Sequence, residues 1–192
     1  MTEERRGLLE DVRDGLVTAV KGVGDVTSAA IETVSGTLVT ALRGVGAVTQ
    51  EATNVIFDTV RGVIRGASDT GQDLTKAAKG IVVGVVKATS ETGTETMAAI
   101  SATAGAVVKG TAEVGGDVGS AAKGAVEGAI QGARDVGLSV EEAASAAATG
   151  AVKAAGDLGG EVGGRVRDAV TGTISGVKVV LKEPFKDNGD KS

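Results

Sequence analysis

Among its 192 residues the chain has no histidine and no cysteine. Their absence removes the usual neutral-pH base and the two most versatile metal ligands, which excludes zinc sites, haem ligation, histidine-dependent triads and thiol chemistry. Tryptophan and tyrosine are missing as well, leaving Phe57 and Phe185 as the only aromatic residues. A core with so few large fillers is thin and aliphatic. Neither sign of charge dominates: 20 basic and 25 acidic residues leave a net −5, and the basic ones are spread evenly, so nucleic acid is not an expected partner. Long apolar runs are absent too. The longest uncharged stretch, Thr96 to Val108, has 13 residues, whereas a membrane span needs about 20. The opening Met1-Thr-Glu-Glu-Arg-Arg-Gly lacks a signal-peptide pattern. The expected location is the cytoplasm, at most peripheral to a membrane or lipid surface.

Nucleotide and hydrolase motifs are equally lacking: there is no Gly-Lys pair for a Walker loop, no GxSxG and no GxGxxG. The many carboxylates fall in regular columns that read as a solvated face. The sequence therefore names no catalytic residue, cofactor or metal ligand, and a non-enzyme is expected.

What the chain does have is 31 glycines, 42% apolar residues and an internal repeat. Residues 16 to 169 divide into seven consecutive blocks of 22 without insertion, beginning at Leu16, Leu38, Val60, Val82, Ala104, Val126 and Ala148. The first two are near copies, LVTAVKGVGDVT and LVTALRGVGAVT. The fifth column is aliphatic: Val20, Leu42, Ile64, Val86, Val108, Ile130 and Val152, continuing to Ile174. The sixth is basic in six of seven blocks, from Lys21 to Lys153, and the seventh is small, with Gly22, Gly44, Gly66, Ala88, Gly110, Gly132 and Ala154. Acids recur in the tenth column (Asp25, Asp69, Glu91, Glu113, Asp135, Asp157) and the fourteenth (Glu51, Asp73, Glu95, Asp117, Glu161). The twelfth is Gly in five blocks, from Gly71 to Gly159.

Within a block the apolar positions step by three and four, the helical period, where a strand would step by two. A β-solenoid is the competitor, but pairs such as Val107 and Val108 would then point to opposite faces. Since 11 residues make three turns, the apolar stripe runs nearly along the axis with a slight right-handed drift. The expected fold is all-α: long Gly/Ala-rich amphipathic helices with hendecad repeats, self-packing into a straight or right-handed bundle or tube. Uninterrupted, residues 3 to 175 would reach roughly 260 Å; Gly115-Gly116 and the cluster Gly159, Gly160, Gly163, Gly164 are the expected bends. Three parts are expected: a helix start over 1–15, the repeat region over 16–175 and a tail over 176–192.

Each interior helical glycine costs about 1 kcal/mol against alanine, so such helices need neighbours. Small residues four apart, such as Gly62 with Gly66 and Gly128 with Gly132, would let backbones approach closely. The fifth column, with Gly22, Gly44, Gly66, Gly110 and Gly132, is therefore the expected self-association surface of a homo-oligomer. Acid pairs such as Asp69 with Asp73 and Glu91 with Glu95 would repel within one helix unless a neighbour, expected in another copy, supplied its basic column. The tail leaves the repeat and joins Pro184 to Phe185. It reads either as a last helical turn or as an extended segment docking a partner protein through Val179, Leu181, Pro184 and Phe185.

The 11-residue amphipathic units with Lys-Gly, as in VKGVGDV and VVKGTAEV, resemble those of synucleins, late-embryogenesis-abundant proteins, perilipins and phasins, and the 22-residue doubling resembles exchangeable apolipoproteins. That resemblance implies helices lying on lipid or polymer surfaces. The Gly/Ala helices and distinct tail also resemble the membrane-associating subunit of mycobacterial high-affinity hydrogenase, which implies a tube with an apolar lumen. The expected function is a self-assembling scaffold with aliphatic faces lining a shared core or lumen, an accessory subunit linking a larger complex to lipid or another apolar small molecule. Two alternatives are a peripheral coat protein that folds on binding a lipid or polymer surface and a desiccation or ice protectant using the Thr59/Thr70 and Thr92/Thr103 spacing.

Overall fold

The twelfth-column glycines are where the chain turns. In the computed structural model, which describes residues 3–43 and 49–182, Gly71, Gly93, Gly115 and Gly137 hold φ of 67 to 74°. That left-handed conformation is open to glycine and costs other residues roughly 1–2 kcal/mol. The amides of the following residues, Gln72, Thr94, Gly116 and Leu138, donate back to the carbonyls of Ala67, Thr89, Thr111 and Ala133 at 2.8 to 3.0 Å, the Schellman closure of a helix end. One residue further on, the fourteenth column starts the next helix. The Asp73 side chain accepts from the Thr75 and Lys76 amides, Asp117 from Gly119 and Ser120, and Ser139 from Glu142. Glu95 holds the same place without a side-chain cap bond.

From Asp73 to Ser139 a stop and a start thus recur every 22 residues, and these blocks each fold as one helix and one turn. The helices are α1 (Glu3–Val23), α2 (Val26–Leu42), α3 (Gln50–Asp69), α4 (Leu74–Thr92), α5 (Thr96–Glu113), α6 (Val118–Val136), α7 (Val140–Leu158) and α8 (Gly160–Val170). The bends expected at Gly115 and Gly159 are present, while Gly163 and Gly164 of the expected cluster lie inside α8, and Gly24, Gly71, Gly93 and Gly137 add left-handed turns like that of Gly115. No helix exceeds 21 residues, so the single long rod, with its slow right-handed drift, does not form among the described residues.

Consecutive helices pack antiparallel in a zigzag, and each lies against the helix two places along. The odd helices make one layer and the even helices the other. Their aliphatic residues close on each other between the layers: Leu16, Leu38, Leu42, Ile56, Ile64, Ile81, Ile100 and Ile130 are fully buried, among many valines and alanines. The chain is an all-α helical-repeat bundle with a thin core. After α8 it leaves the helical pattern: β1 (Gly172–Ile174) pairs antiparallel with β2 (Val177–Val179), Ile174 facing Val177 across the Ser175-Gly176 turn. Both turn residues have positive φ, 48° and 81°, as a type I′ hairpin requires. The expectations of a helical Ile174 and of a last helical turn in the tail are corrected here. Thr171 leaves helical geometry, and alternating burial of Val177 and Val179 fits a strand.

Candidate functional site

The small columns form the seams between parallel neighbours. A β-carbon built on Gly62 would lie 2.9 Å from the Leu9 carbonyl oxygen in α1, and one on Gly66 3.0 Å from that of Arg13. Gly84 meets Val34 and the Ile31 carbonyl of α2 at 2.9 and 3.0 Å, and Gly132 meets Val86 of α4 at 2.9 Å. Gly80, Gly124, Gly128 and Gly150 lie closer still, against the carbonyls of Thr27, Thr75, Lys79 and Ser101. Gly66 stands at the limit of what a real β-carbon tolerates, and the others lie within it, so those contacts exist only because the residues are glycine. Gly110 sits less tightly, 3.7 Å from Ile64, while Gly22 has nothing within 4 Å and Gly44 lies outside the described residues.

The fifth column is buried between helices of one chain. Val20, Leu42, Ile64, Val86, Val108 and Ile130 are all buried, Val152 is half-buried, and Ile174 is buried in β1. Two of these residues, Ile64 and Val86, meet the seam glycines Gly110 and Gly132 inside a single copy. Thr59 and Thr103 are likewise fully buried, which corrects the expectation that the Thr59/Thr70 and Thr92/Thr103 spacing makes a surface row.

Ion pairs stitch the odd layer. Arg5 of α1 donates through Nε and Nη2 to the buried Asp58 carboxylate of α3 at 2.6 and 2.9 Å. Arg13 of α1 reaches Asp69 of α3 at 2.6 Å, Arg61 and Arg65 of α3 both hold Glu113 of α5, and Lys109 of α5 reaches Asp157 of α7 at 3.2 Å. In two of these pairs, Arg65 with Glu113 and Lys109 with Asp157, a sixth-column base meets the tenth-column acid two blocks later. The supposed repulsion is resolved in two ways: Asp69 ends α3 while Asp73 caps α4, and the neighbour that supplies the base belongs to the same chain. The Asp58 hydrogen bond raises the Arg5 pKa above the usual guanidinium value, and Asp69 does the same for Arg13. Cap hydrogen bonds from the Ser28 and Ser120 amides hold Asp25 and Asp117 below the ordinary carboxylate range.

Two clefts open beside this ladder. One, of about 490 Å³, lies between α1 and α3 among Arg6, Leu9, Arg13, Arg65 and Asp69. The other, of about 380 Å³, runs over the α5–α7 seam past Phe57, Ser101, Lys109, Lys153 and Asp157. Arg13 and Asp69 in the first, and Lys109 and Asp157 in the second, are already joined in ion pairs. Among the described residues no three carboxylates gather as a metal site would require.

At the C-terminal end the tail lies on its own chain. Val179 is buried, and Leu181 packs half-buried on the core. Ser145 Oγ of α7 donates to the Val180 carbonyl at 2.5 Å, and the Lys182 amide donates to Thr149 Oγ1 at 3.1 Å. Pro184 and Phe185 lie outside the described residues.

No family model and no curated protein matches the chain. Among solved structures it is similar to the de novo designed helical repeat protein DHR7, with 17% identity and a TM-score of 0.49 over 88% of this chain and 92% of that one. No helix among the described residues is long and apolar enough to cross a membrane.

Proposed function

We infer that the chain is a non-enzymatic scaffold: a self-contained array of helix–turn units that holds surfaces at fixed spacing. The observation that carries this reading is the internal closure of the repeat. The aliphatic columns, the interior glycine seams and the odd-layer charge pairs that would serve an assembly or a lipid surface satisfy one another within a single copy. Among the described residues the exposed large apolar side chains are Val23, Leu138 and Leu158 at helix ends and Val180 after β2. No helix among the described residues presents the exposed apolar stripe by which a coat protein lies on lipid. Self-association, on this reading, belongs to the ends of the array instead of its seams.

The test is circular dichroism with light scattering in lipid-free buffer, repeated with anionic phospholipid vesicles. The scaffold is helical and unfolds cooperatively without lipid, and vesicles leave its spectrum unchanged. A disordered chain that becomes helical only on vesicles would replace the scaffold by the lipid coat.

A further inference from the structure

A repeat array has two ends, and each offers a face that an interior unit would cover. In the odd layer, α7 covers α5: Gly150 sits on the Ser101 carbonyl, and a β-carbon on Gly105 would lie 3.3 Å from the Gly150 carbonyl oxygen. Two blocks further along, Ser101 and Gly105 correspond to Ser145 and Thr149 on α7. Those two residues would receive a next odd helix. They bind the tail instead, Ser145 through the Val180 carbonyl and Thr149 through the Lys182 amide, with Val177 and Val179 buried beneath.

The opposite end carries the matching half of the seam. Gly22 and Gly36 occupy the columns of Gly66 with Gly110 and of Gly80 with Gly124, residues that lie on the preceding helix, yet nothing stands within 4 Å of either. The charge ladder is open at both ends too. Lys109 meets Asp157 two blocks on. Lys153, the next base in that column, is exposed and in no ion pair among the described residues, and Asp25 at the far end is the exposed acid of the matching column.

We propose that the C-terminal hairpin is a plug: it fills the seat of a next odd helix on α7 and so keeps the α1–α2 end of a second copy from stacking there head to tail. The proposal rests on the scaffold reading. With the plug displaced, α1 of the second copy takes the seat, bringing its Asp25 to Lys153 and its Gly22 over Thr149. Thr18 stands in the column of Gly150, so the stacked helix sits less closely than α7 on α5, and the association is reversible. A heterologous contact of this kind does not close on itself and grows with concentration.

The test compares the full chain with a Val177→Lys/Val179→Lys variant, using light scattering over a concentration series, circular dichroism, and chymotrypsin cleavage after Leu181, which neither substitution creates, as the measure of plug release. The wild-type chain keeps the mass of one copy throughout. The variant retains its helix content, is cut faster, and at least doubles its average mass as concentration rises; adding Gly22→Arg and Gly36→Arg at the other end returns it to one copy. A released plug with no gain in mass, or growth indifferent to the Gly22 and Gly36 changes, overturns the proposal. If the double lysine variant loses its helices, Ser145→Ala/Thr149→Val, which removes only the two side-chain bonds to residues 180–182, is read by the same criteria. A wild-type chain without helix in lipid-free buffer would count against the scaffold itself, a result separate from either outcome.

Discussion

Gly150 of α7 faces the backbone carbonyl of Ser101 in α5 with no room between them for a β-carbon. The same relation joins Gly128 to Lys79 and Gly124 to Thr75 in the even layer. Glycine is a poor helix former, and this closeness is what offsets its cost: two backbones approach to where dispersion contacts multiply, in a core too poor in large side chains to fill a wider gap.

Replacing glycine by alanine therefore separates two kinds of site. Gly36→Ala, in the interior of α2 with nothing within 4 Å, should raise stability by up to about 1 kcal/mol through helix propensity. Gly128→Ala and Gly150→Ala should lower it by about 1–3 kcal/mol through overpacking. Urea unfolding of the three variants checks the opposite signs; a common gain would mean that the seams have slack.

The fifth column should behave as the core of one chain. Val86→Asp or Val108→Asp places a carboxylate at a site with no exposure, at a cost of several kcal/mol, and should unfold the chain. The neighbouring Lys87→Asp, on the exposed side of α4, should stay within about 0.5 kcal/mol. Thermal unfolding followed by circular dichroism reads both. Intact helices with only a change of oligomeric state in the Val variants would place the column between chains.

The rungs of the ladder differ in weight. Asp58 is 1% exposed, so Arg5→Met leaves a buried carboxylate without its partner and should cost more stability than the loss of any exposed rung. Lys109→Met removes an exposed rung and should cost at most about 1 kcal/mol. Adding Asp58→Asn to Arg5→Met should recover part of the loss, measured as a double-mutant cycle in urea.

Acid should weaken the caps before the core. Asp117 titrates below the ordinary carboxylate range because the Ser120 amide, then its hydroxyl, bonds the ionised form. A depressed folded pKa gives stability that is present above the unfolded value and lost as pH falls through the folded one. Asp117→Ala should cost about 1 kcal/mol at neutral pH. The gap between wild type and Asp117→Asn, which keeps a capping oxygen without the charge, should shrink as pH drops through the carboxylate range. A gap independent of pH would contradict the ionised cap.

The helical period, the buried face and the value of glycine pairs such as Gly62 with Gly66 were legible in the columns, because burial and close approach leave periodic traces. The turns were legible too, but in a combination: Gly71-Gln-Asp73, Gly93-Thr-Glu95, Gly115-Gly-Asp117 and Gly137-Leu-Ser139 each pair a left-handed helix end with an N-cap two residues later. Taken as separate columns, the glycines look like helix interior and the acids like solvated face. The period of 22, twice 11, suits a continuous stripe as well as it suits a helix plus a turn. The hairpin was hidden for a different reason. Ser145 and Thr149 are ordinary small residues of α7, and only the three-dimensional seat shows what they hold.

Small-angle X-ray scattering in lipid-free buffer tests the central claim most directly, because the three architectures differ severalfold in size. The folded array should give a radius of gyration of about 16–20 Å. A disordered chain of this length would give about 47 Å, and an uninterrupted helix of roughly 260 Å about 75 Å. A value near either of the larger figures would contradict a repeat that turns at every block and closes its own core.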